Sequence, residues 1–345
     1  MAQEVKAYVH TCVEHVAGRG RVAGPEQEGS TVMQHERRRI MMSAVAGALA
    51  VAAACGAEVI FVCTTFPLRI FTMNVTQGCA GTRVEQLVPS SAGCPHRYSL
   101  TPRDMRKIAG ARVLIVNGLG LEEFLAIEEI KKVNPGITIV DSAAGLQDLL
   151  EYRGGQADEP HTHHHADDHG ENAVNPHLFA SPRRAAKQAL NIAAGLAHAD
   201  PERAETYLEN GRKYAARLDA LADEMRALGT RLKVRRVLHP EGIFNYLVCD
   251  MGLELIGGHL PHGHEPSAGE MAELIATARA EGAGAILLDV STPPRFGEML
   301  ARELGLPKVV LDSVAAGPND AQPDYYERVM RTNMQTLHNV FGLKE

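Results

Sequence analysis

Four places in this 345-residue chain carry imidazole or carboxylate groups in segments that follow predicted strands, one of them after a His-rich loop. His96 follows Pro95 in "PHRYSLTPRDM", and His177 follows Pro176 in "NPHLFASP". His239 and Glu241 close "RRVLHPEG", and Asp312 closes "KVVLDS". In open α/β sheets, ligands bind outside the carboxyl ends of strands, where all of these groups fall. One histidine behind a strand is more often a satisfied polar residue than a ligand. The set of positions is more informative, because it supplies the nitrogen and oxygen donors of a four-coordinate transition-metal site, half from each end of the chain.

A second concentration of donors is the stretch "HTHHHADDHG", with His161, His163, His164, His165 and His169 in one loop. Clustered imidazoles on a loop cannot hold one ion in fixed geometry, because selectivity needs donors set on a rigid frame. The stretch therefore reads as an auxiliary, weak metal loop tethered ahead of His177. His259, His262 and His264 in "HLPHGHEPS" read as a solvated loop. Asp289, which ends "AILLD", reads as a hydrogen-bond acceptor or helix cap, and Tyr325 and Tyr326 read as packing residues.

The elements that must position these groups alternate in type. "VIFVCTTFP", "RVLIVNG" and "ITIVDSA" are short β-rich runs separated by the helical "TPRDMRKIAGA" and "LEEFLAIEEIKKVN". The same grammar returns in "RRVLHPEG", "LELIGG", "AILLDV" and "KVVLDS". This predicts an α/β protein of two lobes, each a mainly parallel sheet flanked by helices. Between them, "DPERAETYLENGRKYAARLDALADEMRALG" offers Asp200 as a cap, Pro201 at the first helical position and Gly229 as a terminator. At 1.5 Å per residue, about 28 residues make a rigid joining helix of roughly 40 Å. The expected organisation is an N-terminal lobe over 56–200 with the His-rich loop at 159–172, a linker helix over 201–230 and a C-terminal lobe over 231–345.

Residues 1–55 read as a leader. Arg37, Arg38 and Arg39 precede "IMMSAVAGALAVAAAC", whose apolar run of about 15 residues is too short to span a bilayer and has the form of an export signal. The signal occupies about 33–55, so Met33 is the expected true start and the upstream residues an over-called one. Cleavage behind the alanines, or lipid attachment at Cys55, places the mature start near residues 55 to 57 in the periplasm or cell envelope. In that oxidising setting Cys79 and Cys94, which flank "TRVEQLVPSS", are the first choice for a disulfide, with free thiols an equal alternative. A net charge of −7 and the lack of a basic stripe exclude a nucleic-acid partner. No nucleophile elbow, phosphate-binding loop or H-E-x-x-H helix is present, and "NGLGLEE" lacks dinucleotide-binding spacing, so an enzyme is not expected.

In order along the chain, "TTFPLRIFTMNV", "VPSSAGCPHRYSLTPRDM", "VLIVNGLGLEEFL", "NPHLFASP", "PEGIFNYL", "HEPSAGEMAELI" and "LDSVAAG" resemble the cluster A-I substrate-binding proteins of metal ABC importers. The resemblance runs from residue 58 to the end. It implies two α/β lobes on a backbone helix, one divalent ion in the cleft, and delivery to an ABC transporter permease and its ATPase by a monomer whose only membrane attachment would be the lipid. Carried over by motif, the ligands would be His96, His177, Glu241 and Asp312. The family's "DPH" is "NPH" here, and its third ligand is His in zinc members and Glu in manganese members. His239 lies two residues before Glu241, and alternate residues of an extended segment point the same way, so either suits that position. With His239 the shell is three nitrogens and one oxygen, which suits Zn²⁺. With Glu241 it is two and two, which tolerates Mn²⁺ or Fe²⁺ better. The His-rich loop resembles that of zinc members, so Zn²⁺ is the expected cargo and Mn²⁺ or Fe²⁺ the alternative; an exported zinc hydrolase is a lesser reading. Amino-terminal sequencing of exported protein is expected to begin near residue 55 to 57, and mature material retaining Ile40 would overturn the leader assignment.

Overall fold

The computed structural model describes residues 58–92, 95, 98–151, 174–257, 260 and 266–343. The leader, Cys94, His96, the His-rich loop and His259, His262 and His264 lie outside the described residues. The first sheet holds β1 (Val59–Cys63), β2 (Thr82–Gln86), β3 (Val113–Val116) and β4 (Thr138–Asp141), in the order β2-β1-β3-β4. The second holds β5 (Arg236–His239), β6 (Glu254–Gly257), β7 (Ala285–Asp289) and β8 (Lys308–Leu311), in the order β6-β5-β7-β8. All the pairings are parallel. Both sheets thus repeat one topology, with strand order reversing beside the first strand of each, and crevices form at such switch points.

Alternation along the strands decides what covers each sheet. Phe61, Cys63, Val113, Ile115 and Val140 of the first sheet and Val237, Ala285, Leu287, Val309 and Leu311 of the second face one continuous apolar core. The intervening residues face outward. Val62, Leu114 and Val116 pack with Ile108 and Ile130, which lie on two helices, α2 (Pro102–Ala109) and α3 (Ile127–Val133). Leu238, Ile286 and Leu288 pack in the same way with Leu274 and Leu300.

The shared core is filled by α1 (Phe66–Val75), α4 (Pro182–Ala199), α5 (Ala204–Arg231) and a last helix, Tyr325–Phe341. Helix α5 is the joining helix. Its start and end differ from the sequence expectation for identifiable reasons. Pro201–Arg203 form a 3-10 turn, and the Asp200 carboxylate binds the Arg203 guanidinium at 3.0 Å and accepts the Tyr207 hydroxyl at 2.7 Å instead of capping backbone N–H groups. Gly229 does not end the helix, which runs to Arg231. The missing side chain admits another segment, since a Cβ there would stand 2.2 Å from the Met251 carbonyl oxygen. The helical stretch expected from Leu121 is shorter as well. Only Ile127–Val133 is α-helical, because residues 118 to 120 are left-handed and Glu122 turns inward.

Tyr326 is fully buried and Tyr325 stacks edge-on against Phe66, as packing residues should. Cys63 is a buried thiol pushed up to about 12 by burial, whereas Cys79 is only partly buried. No helix among the described residues is long and apolar enough to cross a membrane. Replacing Gly229 by Ala improves helix propensity by about 1 kcal/mol but forces a methyl against backbone. The steric term is larger, so G229A is expected to lose roughly 1–3 kcal/mol of stability in urea unfolding.

Candidate metal centre

Among the described candidates His239 ends a strand, Glu241 and Asp312 lie just past strand ends, and His177 directly precedes the 3-10 turn Leu178–Ala180; hydrogen bonds fix each side chain. His177 follows the first sheet and is 2 % exposed. Its backbone N–H donates to Asn175 Oδ1 at 2.9 Å, and its Nδ1 lies 3.0 Å from the same oxygen. An amide oxygen only accepts, so Nδ1 carries the proton and Nε2 carries the ring's lone pair. Phe179 meets the ring edge-on, with centroids 5.8 Å apart.

His239 ends β5 in a different situation. The Phe244 N–H donates to its Nε2 at 3.0 Å, so Nδ1 is the protonated nitrogen and donates to the Leu287 carbonyl at 2.9 Å. Both ring nitrogens are therefore engaged by backbone, and this imidazole ties β5 to β7. Glu241 lies two residues beyond, past the strand end, and is 2 % exposed. Its Oε2 accepts the Thr292 hydroxyl at 2.8 Å.

Asp312 follows β8. Asn333 grips its backbone from both sides, accepting from its N–H at 3.1 Å and donating to its carbonyl at 2.8 Å. Oδ1 accepts the Val314 N–H at 2.7 Å, and Val314 takes a left-handed φ of 63°, which is costly for a β-branched residue. Burial, with Asp289 nearby, raises the Asp312 carboxyl above the usual carboxylate range despite that hydrogen bond. A cation placed beside it would oppose this shift.

Asp289 is an acceptor, as the sequence suggests. Oδ1 takes the Ser291 N–H at 2.9 Å and Oδ2 takes the Ser313 N–H at 3.0 Å. A run of hydrogen bonds then joins the candidate donors. Asn175, which holds His177, donates through Nδ2 to the Gly242 carbonyl at 2.8 Å, one residue past Glu241. Thr292, bonded to Glu241, accepts the Asp289 N–H at 3.2 Å, and Asp289 holds Ser313, next to Asp312. Among the described residues no three His, Cys, Asp or Glu groups gather closely enough to hold an ion by themselves, and His96 lies outside them.

One buried carboxylate escaped the sequence reading. Glu122 accepts the Thr64 hydroxyl at 2.5 Å and the Asn117 N–H at 2.7 Å, at the carboxyl ends of β1 and β3. Burial outweighs these bonds and raises it to about 7. "NGLGLEE" carried the signal, since the glycines permit the left-handed turn that sends Glu122 inward, with φ of 84° at Gly118 and 79° at Gly120. Asn333 and Thr292 give no comparable local signal.

The family model described as zinc-uptake complex component A, periplasmic, matches residues 61–340. The high-affinity zinc uptake system protein ZnuA of Bacillus subtilis is 27 % identical over 82 % of this chain and 88 % of its own length. Zinc-binding protein AdcA of Streptococcus pyogenes is 26 % identical over 80 % of this chain, which spans about half of that longer relative, 55 %. Among solved structures, the substrate-binding protein FpvC of Pseudomonas aeruginosa in complex with Mn²⁺ superposes with a TM-score of 0.67 at 26 % identity, over 82 % of this chain and 98 % of that one. FpvC with Ni²⁺ gives 0.66.

The folded chain holds the Glu122 proton up to about pH 7, while an unfolded chain releases it near 4.5. Stability is therefore expected to fall as pH rises between those values and to stay low above them, by roughly 1–3 kcal/mol. Urea midpoints at about pH 5 and pH 8 test this: the wild type should lose more stability than E122Q over that interval.

Proposed function

The chain belongs to the zinc-uptake complex component A family, whose members are metal-binding solute-binding proteins and not enzymes, and we propose that its cargo is Zn²⁺. On this reading it is the extracytoplasmic receptor of an ABC importer. It takes the ion between the two lobes and passes it to a membrane permease driven by an ATPase. An export signal and lipid attachment at Cys55 would hold it in the periplasm or at the cell envelope, as a monomer.

The proposed ligands are His96, His177, Glu241 and Asp312. The observation that carries the choice is the contrast between His239 and Glu241. The His239 Nε2 lone pair already accepts a backbone N–H, and ligating a metal would break that bond and leave the Phe244 N–H to find another partner in the core. Glu241 is buried and held by a hydroxyl, Thr292, which restrains one carboxylate oxygen. Such a partner orients a metal ligand without replacing it.

The resulting shell has two nitrogens and two oxygens, and its two carboxylates balance the charge of a divalent ion. That composition also admits Mn²⁺ or Fe²⁺, and this second reading has support in the Mn²⁺ complex of FpvC. The Irving–Williams order favours Zn²⁺ over Mn²⁺ at any such site, and the proposed His-rich auxiliary loop favours the same metal. His161 to His169 would then bind further ions weakly without forming the tight site.

Metal analysis of untagged protein and competitive titration of Zn²⁺ against Mn²⁺ test the proposal. Wild type is expected to bind one ion tightly and to prefer Zn²⁺. His177→Ala and Asp312→Ala should abolish stoichiometric binding, and Glu241→Gln should weaken it by tenfold or more. His239→Asn should keep the metal while losing roughly 1–3 kcal/mol of stability. Full metal retention by Glu241→Gln, with loss in His239→Asn at an intact fold, would reverse the ligand assignment.

A further inference from the structure

Resting on the reading above, we infer that Asn175 is a positioning residue whose one carboxamide sets both the tautomer of His177 and its place relative to Glu241 in the opposite lobe. The orientation of the Asn175 amide follows from its neighbours. The His177 backbone N–H can only donate, so the atom 2.9 Å from it is the oxygen, and the Gly242 carbonyl can only accept, so the atom 2.8 Å from it is the nitrogen. With the oxygen fixed, the His177 Nδ1 contact at 3.0 Å must be an N–H donation, which leaves Nε2 as the donor atom toward a metal.

The backbone of Asn175 is held as firmly as its side chain. Its N–H donates to the Leu150 carbonyl at 2.8 Å, and its own carbonyl accepts the hydroxyl of Tyr246 at 2.8 Å. Gly242 brings its carbonyl to the amide through a left-handed φ of 76°, which a larger residue adopts only with strain. The carbonyl that Asn175 grips therefore belongs to the residue directly after Glu241. Only a carboxamide of this length serves both ends. Aspartate keeps the acceptor toward His177 but sets an anionic oxygen against the Gly242 carbonyl, and alanine removes both contacts. This gives the asparagine of "NPH" a role that an aspartate at the same place cannot fill.

The test combines a tautomer measurement with a double-mutant cycle, both on the full chain. Long-range ¹⁵N–¹H NMR of the metal-free protein should show Nδ1–H at His177 in wild type and in Asn175→Asp, and a mixture of tautomers in Asn175→Ala. For Zn²⁺, Asn175→Ala and Asn175→Asp should each weaken binding by about 10- to 100-fold. In a Glu241→Gln background the same Asn175→Ala change should cost less than about threefold, because the tie no longer aligns two ligands. An unchanged His177 tautomer in Asn175→Ala, equal costs in the two backgrounds, or wild-type affinity in Asn175→Asp would each overturn the inference. Thermal melting of each metal-free variant identifies any loss of fold. Failure of the wild type to take up Zn²⁺ would instead refute the proposed function, and the tautomer measurement would still decide what Asn175 does to His177.

Discussion

The two sheets share one apolar core, and the placing of the described candidate donors depends on it. Tyr207, Tyr214, Leu218, Leu221 and Met225 line the buried face of helix α5, and residues of both sheets pack into the same cluster. Aromatic contacts carry the seam across. Phe71 from the first half meets Tyr326 from the second with centroids 5.3 Å apart, and Phe66 meets Tyr325 at 5.4 Å. Each such side chain contributes roughly 1.5–3 kcal/mol by burial and somewhat more by ring geometry. Opening the lobes widely would expose this surface at a cost comparable with the whole stability of a domain. Small adjustments at strand ends are far cheaper than such an opening.

Polar contacts between the halves reinforce the same restriction and direct it. Arg217 pairs with Glu327 at 3.1 Å and donates to Asn74 at 2.8 Å, while Asn74 donates to the Pro323 carbonyl at 2.7 Å. The buried Tyr326 hydroxyl donates to the Phe179 carbonyl at 2.8 Å, two residues past His177. Gly317 packs so closely on Phe66 that a Cβ would stand 2.2 Å from the ring, so the loop leaving Asp312 is pressed onto the first half. These groups are partnered across the interface, and separating them would leave donors and acceptors to be resolvated one by one. The strain at Val314 is tolerable in such a frame, because its N–H holds Asp312 and the surrounding loop has no room to relax.

Much of the fold was legible because strand periodicity and helix composition are local. The near-continuous apolar runs in "RVLIV" and "AILLD" identify parallel, doubly covered strands without any tertiary information, and α5 is readable from its Ala, Leu and charged spacing. The misreadings share one cause, a tertiary contact taking over a residue with a strong local meaning. Gly229 looks like a helix terminator and is used for close approach to Met251; Asp200 looks like a cap and is taken by Arg203 and Tyr207. The positions of His239, Glu241 and Asp312 at or just past strand ends were legible for the same local reason. Their partners were not, since Asn333 reaches Asp312 from another element and Thr292 reaches Glu241 across 51 residues of sequence.

The pair His239 and Glu241 shows why spacing alone cannot choose between neighbours. In an extended strand both would point into the same cleft, and an imidazole would be the softer donor for zinc. The strand ends at His239, however, and Pro240 and Gly242 turn the chain, so the shared direction is lost. His239 is drawn inward by Leu287 and Phe244, where it replaces the backbone pairing that the turn interrupts. Glu241 is carried past the sheet edge to Thr292, and its next residue is gripped by Asn175. A histidine that completes a sheet's hydrogen bonds is fully committed before any ion arrives. A carboxylate carries lone pairs on two oxygens and can ligate an ion while still accepting hydrogen bonds, which is why the harder donor is the proposed ligand.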